Sequence, residues 1–165
     1  MESHSAIARF ASPIGMIELS ANDRHLLGLR ILTQAAAVIG ADDHPLLLAA
    51  AGQIHEWFAR TRRTFDLPLK PLTTPRGEAL RAGIIAVPYG ETRTYGALAT
   101  DIGSAPRAIG QACQRNPFPL IVPCHRVTSS SGPEHYSGGD GARTKAWLIG
   151  FEAGERVDYG QGCLF

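Results

Sequence analysis

A cysteine and a histidine stand side by side at positions 124 and 125. They are entered through Pro123, followed by Arg126, and preceded by the apolar run Leu120-Ile121-Val122. A thiol with an ordinary pKa of about 8.5 works as a nucleophile near neutrality only where positive or basic neighbours favour the thiolate. Cys124 has two such neighbours in sequence, His125 and Arg126. Adjacent residues on an extended chain point to opposite faces, so adjacency alone makes no catalytic pair, and a buried structural cysteine is the competing reading. Pro123 sets the entry to a bend, and the run 120–122 reads as a buried strand that would display the thiol at its end.

The elements around this point are legible as helices. Thr74-Pro75 is a cap followed by a first-turn proline, starting a helix that runs to Pro88. Thr94 caps a short helix through Asp101, Gly103 follows it, and Ser104 is placed to cap another helix ending at Asn116-Pro117. Two short helices around a tight glycine turn form a helix-turn-helix pattern. On the second helix Ile109 and Cys113 share one face, and Arg107, Gln111 and Gln114 the other. An ordinary amphipathic surface helix would show the same division.

The first half is different. Turn residues at 13–15 separate β-prone runs, with strands read over 16–20 and 26–31. A helix starts at Pro45, with Leu47, Ala51, Ile54 and Phe58 on one face, and 65–69 reads as a last strand broken by Pro68 and Pro71. The expected fold is therefore α+β: a strand-rich N-terminal lobe with one helix over 1–72, and a helical C-terminal lobe with the helix-turn-helix over 73–165.

Composition narrows the function classes. With 165 residues, 44% hydrophobic and 19% charged, the chain is neither disordered nor a coiled coil. No apolar run reaches the length of a membrane helix, and Met1-Glu2-Ser3-His4 opens without a secretory signature, so a cytoplasmic protein away from membranes is expected. Three cysteines (Cys113, Cys124, Cys163) without CxxC spacing argue against a disulfide framework and for a free thiol. Cys113 reads as structural and Cys163 as a tail thiol, and no histidine spacing suggests a metal site. The net charge of +1 advertises no nucleic acid, and a surplus of two basic residues between Tyr89 and Arg126 is ordinary surface.

Asn116-Pro117 followed by Ile121-Val122-Pro123-Cys124-His125-Arg126-Val127 resembles the active-site signature of the O6-alkylguanine-DNA alkyltransferase family. The resemblance continues in the run 85–99, which is similar to the family's entry to its helix-turn-helix. Pro106-Arg107-Ala108-Ile109-Gly110 resembles the start of its recognition helix, and Tyr136-Ser137-Gly138-Gly139 its substrate-pocket loop. It implies a function: irreversible transfer of an alkyl group from O6-alkylguanine in duplex DNA, with O4-alkylthymine a further candidate, to Cys124. The chain would be consumed in one turnover, without metal or organic cofactor; a monomer is the default expectation.

It also implies roles. Cys124 matches the nucleophile, His125 the base that takes its proton through a water, and Glu152 the carboxylate orienting that histidine. Asn116 matches the brace of the active-site turn. Tyr95 matches a tyrosine that helps expel the target nucleotide and protonates the departing guanine. Arg107 matches the arginine filling the vacated place in the stack. Ala105, Ala108, Gly110, Gln111 and Arg115 fall on the matching DNA-binding helix, where small residues would let it approach a sugar–phosphate wall in the minor groove. Val127, through its carbonyl, and Tyr136 and Ser137 match pocket residues.

Three departures accompany the resemblance. Arg76, Gly77 and Arg81 stand where the family usually carries phenylalanine, glutamine and tryptophan, which is expected to weaken docking of that helix. His135 replaces a usual glycine before Tyr136. The loop 140–144 is two residues longer than usual, so a remodelled pocket rim with altered preference among O6-alkyl groups is expected. Rival readings are a sensor of alkylated DNA, from which the cysteine distinguishes this chain, a thiol hydrolase acting without DNA, and a repair-inactive relative.

Overall fold

In a computed structural model, residues 4–130 and 136–156 are described. The chain divides into two compact units, one over 1–70 and the other beginning at Pro71. The architecture is mixed α and β, strand-rich first and helical afterwards.

The first unit is an antiparallel meander of β1 (Ala6–Ser12), β2 (Gly15–Ala21) and β3 (Leu26–Leu32), with α1 (Pro45–Phe58) after it. Gly15 makes the β1–β2 turn at φ 116°, a conformation that only glycine adopts readily, and a Cβ there would meet the Leu32 carbonyl oxygen at 2.7 Å. α1 begins with Pro45, where the missing N–H is harmless, and buries Leu47, Ala50, Ile54 and Trp57. The stripe thus runs through Ala50 and Trp57 rather than through Ala51 and Phe58, because 3.6-residue periodicity leaves neighbouring stripes nearly equivalent until a sheet selects one. The strand read over 65–69 reduces to a single bridge of Leu69 to Leu26, flanked by bonds from Leu26 N–H to the Pro68 carbonyl and from Lys70 N–H to the Leu26 carbonyl. Pro68 and Pro71 have no N–H to extend the ladder.

The second unit contains α2 (Pro75–Ile85), β4 (Arg93–Thr94), α3 (Tyr95–Ile102), α4 (Pro106–Gln114), a 3₁₀ turn (Cys124–Arg126), β5 (Val127–Thr128) and α5 (Ala142–Glu152). Thr74 and Thr94 cap α2 and α3 by accepting from Gly77 and Ala97 N–H, and Gly103 ends α3 at φ 65°. Ser104 does not cap α4: Ala105 occupies that position without a side-chain bond, since Pro106 at the first helical position supplies the helical φ without one. Despite the departures in α2, the helix forms and buries Arg81, Gly83 and Ile84. A Cβ on Gly83 would lie 3.0 Å from two Ile102 side-chain atoms, so this glycine permits close approach of α2 to α3. β4 and β5 pair in parallel, Arg93 with Val127 and Thr94 with Thr128, tying the start of the helix-turn-helix to the residue after the 3₁₀ turn. Among the described residues no helix is long and apolar enough to cross a membrane.

Candidate active site

The segment 120–122 is a turn, not a strand. Pro119 and Pro123 bracket it and remove ladder donors, and Leu120 takes φ 79°, rare for a residue with a Cβ. The turn is closed by Val122 N–H bonding the Phe118 carbonyl at 2.9 Å and by Cys124 N–H bonding the Val122 carbonyl at 2.7 Å across Pro123. Asn116 braces it from inside. Its Nδ2 donates to the Val122 carbonyl at 2.9 Å and to Cys124 Sγ at 3.2 Å, while its Oδ1 accepts from Phe118 N–H at 2.9 Å. Left-handed backbone at a leucine costs of the order of 1–3 kcal/mol, and the buried Phe118, Leu120, Ile121 and Val122 side chains offset it.

Behind the cysteine lies a buried charge network. His125 is fully buried, and its Nε2 donates to Glu152 Oε1 at 2.8 Å. Arg126 places Nε 2.9 Å from Glu152 Oε2 and Nη2 2.8 Å from Oε1, while its Nη1 donates to the Val87 carbonyl at 2.8 Å. Gly90 N–H donates to the same carboxylate at 3.2 Å. Burial by itself would raise the Glu152 carboxyl, but the bonds from His125 and Arg126 and the charges behind them take it down to about 2. Burial pushes the His125 imidazole below its usual value, opposed by Glu152. An ionised carboxylate on Nε2 selects the tautomer with the proton there. Nδ1, buried and without a hydrogen-bond partner among the described residues, is left as the acceptor.

In front of the cysteine is a cavity of about 240 Å³ whose wall includes Tyr95, Cys113, Gln114, Cys124, Tyr136 and Ser137. Tyr136 meets the His125 ring edge-on, with centroids 6.5 Å apart. Lys145, 1% exposed, donates from Nζ to the Val127 carbonyl at 2.6 Å and sits 5.6 Å from the Tyr95 ring centre. Burial raises the Cys124 thiol pKa, and the Asn116 bond and the Lys145 charge pull against it. A thiol, an imidazole with an available nitrogen and a nearby ammonium can together deprotonate sulfur as it attacks.

Of the residues expected at the site, Tyr95, Cys124, Tyr136 and Ser137 share the cavity wall, with Asn116, His125 and Glu152 behind it. Val127 is fully buried, and its carbonyl already holds Lys145. Arg107 and Gln111 are exposed on α4, Arg115 is exposed at its C-cap, Ala105 is exposed at its start, and Ala108 and Gly110 are half-buried. His135 and Cys163 lie outside the described residues. The segment 140–144 is less a loop than expected: Ala142, Arg143 and Thr144 form the first turn of α5, and the Thr144 hydroxyl accepts from Asp140 N–H at 2.8 Å. Cys113 is buried as expected, yet it also lines the cavity beside Cys124, and burial and the neighbouring Cys124 raise its thiol to about 12. Lys145 and the clamp by Arg126 went unread in the sequence. One signal was available, because Lys145, Leu148 and Glu152 recur at helical spacing, placing two charges on the apolar stripe of α5. Among the described residues no group of three or more His, Cys, Asp or Glu could hold a metal ion.

Two family models match the chain. The 6-O-methylguanine DNA methyltransferase ribonuclease-like domain covers residues 7–71, and the DNA-binding domain of the same family covers 78–154. The constitutive methylated-DNA–protein-cysteine methyltransferase of Bacillus subtilis is 39% identical over 117 residues, covering 70% of this chain and 69% of that protein. The methylated-DNA–protein-cysteine methyltransferase of Mycobacterium tuberculosis is 36% identical over 142 residues, covering 83% and 86%. The crystal structure of Mycobacterium tuberculosis OGT in complex with DNA superposes with a TM-score of 0.76 at 32% identity, over 90% of this chain and 93% of that one.

Proposed function

Because the chain belongs to the 6-O-methylguanine DNA methyltransferase family, we propose that it repairs duplex DNA by moving the alkyl group of O6-alkylguanine onto Cys124. Its enzyme class is methylated-DNA–protein-cysteine methyltransferase, a single-turnover activity acting on DNA. The observation that carries the assignment of the nucleophile is the Cys124 thiol. It lines a cavity at the end of a braced turn, with the His125–Glu152–Arg126 network behind it.

In this reading the thiol proton passes through a water to His125 Nδ1 as Cys124 Sγ bonds to the alkyl carbon. The bond from that carbon to guanine O6 breaks, and the electron pair stays with guanine. Tyr95, facing the Lys145 ammonium, donates a proton toward the leaving base. The lesion must leave the duplex to reach a cavity of this kind, and Arg107 on the exposed side of α4 fills its place in the stack. Gly141 and Ala142, at the start of α5, belong to the cavity wall, so the segment that departs from the family tunes which O6-alkyl groups fit.

Intact mass after incubation with a duplex carrying one O6-methylguanine tests the reading. One methylene should be gained, mapped to Cys124, saturating at one per chain and absent from Cys124→Ser. A chain that binds the lesion with no mass change would instead be a sensor.

The same proton path sets the pH dependence. With the imidazole lowered by burial and the thiol raised by burial, the transfer rate should be flat from His125's ordinary value of 6.5 to the ordinary thiol value of about 8.5. The rate should fall only below pH 6.5, as Nδ1 takes a proton. A rate climbing steadily through this range would mean that a preformed thiolate, not base-assisted attack, carries the reaction.

A further inference from the structure

A second cleft, of about 510 Å³, lies beside the braced turn, between α2 and α4. Arg76 and Arg115 are exposed at its edge, and Arg81 is only 8% exposed with its guanidinium 5.4 Å from the Phe118 ring centre. Among the described residues, three arginines line this cleft and no acidic residue does. Glu78, on α2, accepts the Leu72 N–H, and its charge opposes the lowering of the Arg81 guanidinium pKa by burial. A guanidinium fork matches phosphate or carboxylate oxygens, and a cleft with this charge excess is complementary to an anion. Ala108 and Gln111 of α4 and Arg115 at its C-cap belong both to the cleft wall and to the residues read as DNA-binding. The cleft therefore continues that face across to α2.

We propose that this cleft is a second anchoring site for DNA, receiving a backbone phosphate between Arg76 and Arg115 with the buried charge of Arg81 beneath it. The proposal rests on the reading of α4 as the helix that lies against duplex DNA. With a net charge of only +1, the chain has little overall field to attract DNA, so a few local arginines set the salt dependence of binding. Each phosphate neutralised adds about 0.9 to the slope of log K against log salt concentration.

The test is the salt dependence of binding of the full chain to an undamaged duplex. The wild type is compared with Arg76→Gln, with Ala112→Leu, which fills the cleft and keeps every charge, and with Arg24→Gln, an exposed arginine of the other unit. An unfolding midpoint equal to that of the wild type establishes each variant as folded. Arg76→Gln and Ala112→Leu are each expected to reduce the slope by about 1, while Arg24→Gln leaves it unchanged. A wild-type slope in either cleft variant overturns the proposal and leaves the alkyltransferase reading standing, provided the wild type still binds DNA and gains its methylene. A wild type that neither binds nor reacts overturns both. Titration with inorganic phosphate separates the sources of the anion: phosphate binding that disappears in Arg76→Gln, with the DNA slope unmoved, would assign the cleft to a free anion and overturn the DNA anchor.

Discussion

Glu152→Gln is expected to slow alkyl transfer by about 10²–10³-fold and to destabilise the fold by about 3–5 kcal/mol. The carboxylate accepts from His125, Arg126 and Gly90 at once, and its own side chain is 2% exposed. Glutamine keeps the shape but removes the charge, leaving the Arg126 guanidinium buried without its counterion. It also frees the imidazole to place its proton on Nδ1, the nitrogen needed to accept from the thiol. Single-turnover rates and urea unfolding measure the two effects. A variant that reacts at the wild-type rate would remove His125 from the proton path.

The pH dependence of stability follows from the same network. The Glu152 carboxyl is depressed in the folded chain, so its contribution is fully present above the ordinary value of 4.5 and is lost as pH falls toward about 2. His125 is also depressed: below pH 6.5 the unfolded chain gains a proton that the folded chain resists, which again weakens the fold as pH falls. Both groups act in the same direction. Unfolding free energy should decline on acidification from pH 7, and the decline below pH 4.5 should be shallower in Glu152→Gln.

Lys145→Met should separate chemistry from stability. Methionine fills nearly the same volume and removes the ammonium near Cys124 that opposes the rise of the thiol pKa. The Val127 carbonyl loses its donor, a cost of about 1–3 kcal/mol, but an expensive buried charge disappears with it, so the net change in stability should be small. Transfer should slow by about 10–100-fold, because the sulfur and the leaving guanine both lose a nearby positive charge. The pH profile of Cys124 alkylation by iodoacetamide should shift upward in parallel. An unchanged rate and profile would reduce Lys145 to a structural tie between α5 and β5.

How much of this was written in the chain can be followed residue by residue. Helix starts at Thr74-Pro75 and Thr94, the stop at Gly103 and the division of α4 into Ile109 and Cys113 against Arg107 and Gln111 were all readable. Each depends on contacts within about four residues, where side-chain caps, φ preferences and helical spacing act. The same local rules misread 120–122 as a strand. Apolar runs suit strands and buried turns alike, and what decided here was Asn116 reaching across to the Val122 carbonyl and Cys124 Sγ.

The sequence by itself determined that Cys124 and His125 lie side by side, that prolines frame them, and that two short helices precede them. Only the tertiary structure decided that Glu152, separated from His125 by 27 positions, selects its tautomer, and that Arg126 turns inward to clamp that carboxylate. It alone placed Cys113 in the cavity wall and Lys145 on the Val127 carbonyl, and opened the arginine-lined cleft between α2 and α4. A charged side chain reads as solvated in sequence because burying it is costly. Its burial becomes favourable only when distant elements bring the carboxylates and carbonyls that satisfy it, and no local pattern records those partners.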